Sequence, residues 1–422
     1  MPSVNLSLDP QNPHRKHVPM NSNSHCSGGG GRRLARIIRL VRTAALLMAT
    51  AFAAKGQQIN LPLGSLNPAT NTSVRNEVRH AIDKGLAWLE QNQNTNGFWS
   101  TPDHPAMTAL VLDAFVLRPG RETKSEPAAV QKGYVYLMSC VQPDGGIYQK
   151  ELQSYNTSVS LMAILLRNRP EDRAAIDMAR KFLIGLQVES GDPTNPFNGG
   201  IGYGAADKQP DLSNTVLALE AIRYSKPPPD EKIIPAQPDL NWNAAIHFVQ
   251  CCQNLPGSNS EKWASDDPQN KGGFIYAPGN SLAGETNLPS GKVALRSYGS
   301  MGYAGLLSYV YADLKPDDPR VTAVKEWLRT NYTVEENPAM GDQGVYYYYF
   351  VMAKALSLSD PGMLETKNGQ AVNWREQLAL KLINLQQADG SWQNSNGRWW
   401  EKDPALDSAF SLIALDMIYN KM

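Results

Sequence analysis

Residues that most active sites and cross-links draw on are scarce in this sequence. Cysteine occurs four times and histidine six times in 422 residues. Removal of an N-terminal segment ending near Ala53 or Ala54 would leave only Cys140, Cys251 and Cys252, an odd and sparse set that excludes a disulfide framework. Cys251 and Cys252 adjoin within an apolar helical pattern, where cysteines act as small hydrophobes. The same cut leaves His80, His104 and His247 as the histidines. His247 and Cys251 stand one helical turn apart, but two ligands do not make a zinc site, and neither a metal nor another cofactor is expected. An excess of charge is missing too: forty basic and forty acidic side chains cancel, and no basic block is interleaved with aromatics in the body of the chain. Nucleic acid is thereby set aside as a partner.

What is present falls into unlike parts. Residues 1–31 are polar, with Pro, Asn and Ser and a glycine run from Gly28 to Gly31, and are read as a disordered leader. Residues 32–54 hold a basic segment (Arg32, Arg33, Arg36, Arg39, Arg42) and an uncharged stretch from Thr43 to Ala54. A positive region, a short apolar region and small residues around Ala53 form a secretory signal, which predicts export to the periplasm or the extracellular space. Met20 offers an alternative start. The apolar run is too short to span a bilayer. Read instead as a basic amphipathic anchor, the segment would bring the protein into peripheral contact with a membrane. Residues 55–73, with Pro62, Gly64 and Pro68, read as a linker.

From residue 74 to 422 the text repeats itself. Gln386-Gln387-Ala388-Asp389-Gly390-Ser391-Trp392 has a close copy in Gln93-Asn94-Thr95-Asn96-Gly97-Phe98-Trp99 and a third in Gln142 to Tyr148. Looser copies lead from Gln187 to Tyr203 and from Gln253 to Tyr276. Each turn separates two stretches of helical periodicity, the first more charged and the second apolar around more of its circumference. Six pairs account for the chain, and that number, without a polar capping repeat, predicts an all-α fold of six pairs closed into an (α/α)6 double-ring toroid. The motif is structural: glycine permits the tight exit, and the Gln amide is placed to satisfy carbonyls at its own helix end.

These repeats resemble those of the terpenoid cyclase and protein prenyltransferase superfamily, squalene cyclases included, over residues 74–422. The resemblance implies the toroid and, for an enzyme, isoprenoid cyclase-like or transferase-like chemistry. A squalene-type cyclase would protonate an alkene with the middle acid of an Asp-x-Asp-Asp-Thr segment. Here the nearest stretch is Asp211-Leu212-Ser213-Asn214-Thr215, with serine at the acid position. The matching positions in other pairs (Ala106, Tyr155, Tyr298, Leu406) are not acidic either. Prenyltransferase zinc lacks its ligands, and the thioester motif of complement-like proteins is absent from Cys252-Gln253-Asn254.

The candidate acids are therefore Asp211 and Asp407, each at the start of an apolar helix, where a carboxylate either caps the helix or, desolvated, holds a proton. Tyr346, Tyr347, Tyr348 and Tyr349 point around a whole helix, so some face the ring axis. With Tyr155, Tyr203, Tyr298, Trp399 and Trp400 they are candidates for an aromatic cavity, and Arg296 for pairing with an acid or an anionic head group. The expected ligand is an isoprenoid or other apolar small molecule. The competing reading is a non-catalytic extracytoplasmic scaffold for glycan or peptide. No oligomeric state is written in the pattern.

Overall fold

The computed structural model describes residues 68–121, 125–204, 209–227 and 239–422. The leader, the signal segment and residues 55–67 of the linker lie outside the described residues. Helix α1 begins at Pro68, inside the stretch expected to be linker.

Twelve α-helices are present among the described residues, in six consecutive pairs: α1 (Pro68–Gln91) and α2 (Pro105–Leu117); α3 (Ala128–Ser139) and α4 (Gln153–Arg167); α5 (Arg173–Ile184) and α6 (Leu212–Tyr224); α7 (Trp242–Cys251) and α8 (Gly299–Tyr311); α9 (Pro319–Thr330) and α10 (Val345–Ser359); α11 (Trp374–Leu385) and α12 (Pro404–Tyr419). Even-numbered helices pack in sequence, α2 on α4, α4 on α6, and so on to α12, which packs back on α2. That last contact closes the inner ring. Odd-numbered helices lie outside it, and α1, α3, α5 and α9 lean chiefly on the inner helix of the preceding pair. Two short antiparallel hairpins, β1 (Glu285–Asn287) with β2 (Val293–Leu295) and β3 (Leu364–Glu365) with β4 (Ala371–Val372), decorate the loops.

Burial explains the division into rings. Every residue of α2 from Pro105 to Val116 is buried, whereas α5 buries only Ile176, Ala179, Arg180 and Leu183. An apolar circumference needs protein on all sides, and a single stripe needs it on one. Local signals set the ends. Asp211, Asn241, Asp318, Asn373 and Asp403 accept backbone N–H groups as N-caps. Proline opens α2, α9 and α12, and left-handed residues Asn168 and Asp360 end α4 and α10.

The turn motif works differently from the expectation that its Gln would serve its own helix end. The amide of Gln93 donates to Gly97 O in its own turn at 2.8 Å and to Ala129 O, in the first turn of the next outer helix, at 2.7 Å. Gln187 reaches Gly199 O and Asn241 O, Gln253 reaches Gly272 O and Arg320 O, and Gln386 reaches Gly390 O and Ala81 O. The motif is thus a clamp between neighbouring repeats. Gln142 departs from it by donating to Tyr148 O. Glycine is required for a second reason: Gly390 has φ +103, and a Cβ there would lie 2.7 Å from Lys84 O on α1. A hydroxyl on the inner helix completes the unit, accepting from the turn backbone at Trp99 N–Thr108, Ile147 N–Thr157, Ile201 N–Thr215 and Trp392 N–Ser408.

Candidate functional site

All six outer-to-inner connections emerge at one end of the ring, where the inner helices start, and both candidate acids lie there. Asp403, not Asp407, caps α12, accepting from Ala405 N at 2.9 Å. Asp407 is one turn in and fully buried. Its Oδ2 accepts from Asn394 N at 2.7 Å, and its Oδ1 has no hydrogen-bond partner. Burial, reinforced by the neighbouring Glu401 carboxyl, pushes Asp407 up to about 9. Glu401 is itself buried, accepting from Tyr347 N at 2.8 Å and from the Asn394 side chain at 2.7 Å. Burial raises it to about 7 against the pull of those bonds. The N-cap of helix α10 is Gly344, which has no side chain to serve it, so Glu401 supplies the acceptor from another repeat.

Asp211 does cap its helix, accepting from Asn214 N at 2.8 Å and from Asn214 Nδ2 at 2.7 Å. It is nonetheless buried, and desolvation lifts it to about 6 despite these bonds. The choice between a surface cap and an enclosed acid is therefore a false one at this residue. Tyr276, Tyr298 and Tyr347 all lie within electrostatic reach of Asp211, and the Tyr276 and Tyr203 hydroxyls are 3.5 Å apart. Tyr155 on α4 senses both Tyr347 and Tyr203. Burial raises the hydroxyls of Tyr155 and Tyr347, although both side chains keep partial exposure. Both rings are thus enclosed by protein and still reachable by solvent.

The four consecutive tyrosines divide. Tyr347 packs on Phe350 and Phe410 and turns its hydroxyl toward Ser213, without a well-aligned hydrogen bond. Tyr346 lies near Asp407 and Glu401. Tyr348 and Tyr349 instead donate to Thr333 O at 2.7 Å and Val334 O at 2.8 Å, fastening the loop before α10. Those two belong to the scaffold, not to a cavity wall. Arg296 donates to Ala283 O and makes no ion pair among the described residues, so its expected partnership with an acid is replaced by a loop contact. Trp399 and Trp400 are 39% and 50% exposed, both with left-handed backbone. Arg398 stacks on Trp399 at 4.3 Å, and Trp400 meets the edge of His104 at 5.2 Å. They form the outer rim. Burial lowers His104, whose Nδ1 lacks a partner.

His247 Nε2 stands 3.7 Å from Cys251 Sγ on outer helix α7, and no group of three metal-ligating side chains occurs among the described residues. A surface groove of about 450 Å³ between α1 and α11, lined by His80, Lys84, Ile383 and Gln386 among others, borders none of these acids. No helix among the described residues is long and apolar enough to cross a membrane.

Two groups lay outside the sequence reading. Tyr276 stands at the end of a turn copy, where the pattern marks scaffold. Deeper in the ring, Asp113 (α2), Glu220 (α6) and Lys354 (α10) are charged residues in apolar helices. Lys354 Nζ bonds both Glu220 oxygens at 2.9 and 2.8 Å.

No protein-family model and no curated protein matches the sequence. Solved structures do match it. The type II terpene cyclase MstE from Scytonema, without ligand, superposes with a TM-score of 0.50 at 10% identity, over 82% of this chain and 99% of the cyclase. An aspartate-to-alanine variant of MstE in complex with merosterolic acid A, its product, gives 0.50 at 10% identity over 83% and 99%. The chain has a terpenoid cyclase-like fold.

Proposed function

We propose that this chain is an exported toroid of the squalene cyclase type that takes an isoprenoid or similar apolar small molecule into the mouth of its inner ring. The observation carrying this reading is the convergence of Tyr276, Tyr298 and Tyr347 on Asp211 where the inner helices begin, with Tyr203 beside Tyr276 and Tyr155 beside Tyr347. Aromatic walls with a few buried polar groups suit an apolar ligand with one oriented polar end. A product complex of MstE, which shares the fold, supports a ligand of terpenoid character.

Alkene protonation is not part of the proposal. It requires a strong acid, and an acid raised to about 9 by burial and a like-charged neighbour, as at Asp407, holds its proton too firmly. At Asp211 both oxygens already serve Asn214, and Ser213 stands where a cyclase acid would be. Asp407 is suited to donating a hydrogen bond as a neutral acid. The function is accordingly binding, with any turnover limited to steps a neutral hydrogen-bond donor assists.

Native mass spectrometry of protein purified gently from its host, followed by extraction of the bound material, tests this. A copurifying isoprenoid supports the proposal. A retained sugar or peptide replaces it with the scaffold reading.

A further inference from the structure

The inner ring carries a second polar layer that the mouth does not use. Glu220 and Lys354 project from α6 and α10, helices separated in the ring by α8, so their ion pair spans the interior. Asp113 enters from α2, within electrostatic reach of both. Three alternate helices of the six thus converge on the axis. At about 1.5 Å per residue, Glu220 and Lys354 lie about 10–14 Å deeper than Asp211 and Tyr347.

This layer is incompletely bonded. Asp113 is 7% exposed, and its buried Oδ1 has no hydrogen-bond partner. Tyr311, at the end of α8, faces Glu220 with its buried hydroxyl, again without a well-formed bond. Buried orphan polar atoms of this kind destabilise the fold unless water or a ligand completes them. The small residual exposure of Asp113 and of Glu220 (6%) means that a solvent-sized probe reaches both.

We infer that Asp113, with Tyr311 and the Glu220–Lys354 pair, forms a polar floor that receives the hydroxyl of an isoprenoid-type alcohol whose apolar body fills the ring above. The inference rests on the isoprenoid reading of the mouth and adds the end group. Burial holds Asp113 well above the usual carboxylate range, so it presents a neutral O–H donor and a carbonyl acceptor. Together with the balanced Glu220–Lys354 pair the layer is electrically neutral. A neutral alcohol then adds hydrogen bonds without burying a further charge, which an anionic head group could not do.

The test compares farnesol with its hydrocarbon counterpart, farnesene, by calorimetric titration of the full chain. One added buried hydrogen bond predicts about tenfold tighter binding of farnesol to the wild type. Asp113→Leu removes that preference, and Asp113→Asn keeps part of it. Should Asp113→Leu fold poorly, Tyr311→Phe, which deletes only an orphan hydroxyl, reduces the preference in the same direction. Equal affinities in the wild type, or an Asp113→Leu variant that weakens both probes alike, overturn the floor and leave it a water-filled layer. If the wild type binds neither probe, the isoprenoid reading of the mouth falls, and the floor with it.

Discussion

The side-chain amide of Gln386 donates to the carbonyl of Ala81 at 2.9 Å across 305 residues of sequence. Its other bond, to Gly390 O at 2.9 Å, holds the turn of the last repeat against the first outer helix. The junction that closes the ring is chemically the same as the internal junction made by Gln93. Gln386→Ala leaves two carbonyls unserved and is expected to cost about 1–3 kcal/mol. Gln93→Ala should cost about as much. Urea denaturation midpoints measure both, and an unchanged midpoint for either would mean that water replaces the amide.

Stability should fall as pH rises. Burial lifts Glu401 from 4.5 to about 7 and Asp407 from 3.8 to about 9, so above pH 4 the folded chain holds protons that the unfolded chain has released. The loss runs up to about pH 7 for Glu401 and continues to about pH 9 for Asp407, with a slope of at most about 1.4 kcal/mol per pH unit for each group. Asp407→Asn cannot ionise, and it makes the segment between pH 7 and 9 shallower, while Asp113 and Asp416, also raised by burial, keep their own share of the fall. Thermal melts across that range decide the matter, and an unflattened curve assigns the drop elsewhere.

The tyrosine run separates structure from binding. Tyr348→Phe and Tyr349→Phe each break a bond to a loop carbonyl and should lower stability by about 1 kcal/mol without altering ligand affinity. Tyr347→Phe deletes a hydroxyl with no well-aligned partner, so stability stays level while affinity changes. Paired melting and titration experiments would expose the reverse pattern at once.

Fluorescence reports on the rim. Trp399 and Trp400 are exposed, Trp88, Trp242 and Trp263 are half-buried, and Trp99, Trp327, Trp374 and Trp392 are buried, so acrylamide should quench the first two most strongly. Trp399→Phe with Trp400→Phe lowers the quenchable fraction. A ligand seated in the mouth reduces quenching in the wild type only.

The fold was legible because the repeat writes the same unit several times, and helical periodicity located every inner helix. Helix starts are set by more than periodicity: α4 starts at Gln153, after left-handed Leu152 and without a side-chain cap, and α12 at Pro404, behind the cap at Asp403. The role of the glutamine was half visible, since its second acceptor belongs to the next repeat and no local pattern reveals it. At the site, Asp407 stood out by position, but its freedom from capping depends on Asp403 taking that task. The deep charged layer left a signal that went unused. Asp113 and Glu220 are the only acids in α2 and α6, and Lys354 is the only charged residue of α10. A lone charge near the far end of an otherwise apolar helix is what an axial polar layer looks like in one dimension.

The guanidinium of Arg75 lies 4.5 Å above the ring of Tyr419, which places the first and last helices of the toroid side by side. Which helix of the ring comes first is therefore an accident of connectivity. A gene rewritten so that Met422 is joined by a short flexible linker to the start of α1, with new ends in the exposed stretch 189–194, would encode the same set of glutamine clamps in a different order. Such a circular permutant should assemble the same ring, because no repeat holds the rank of first.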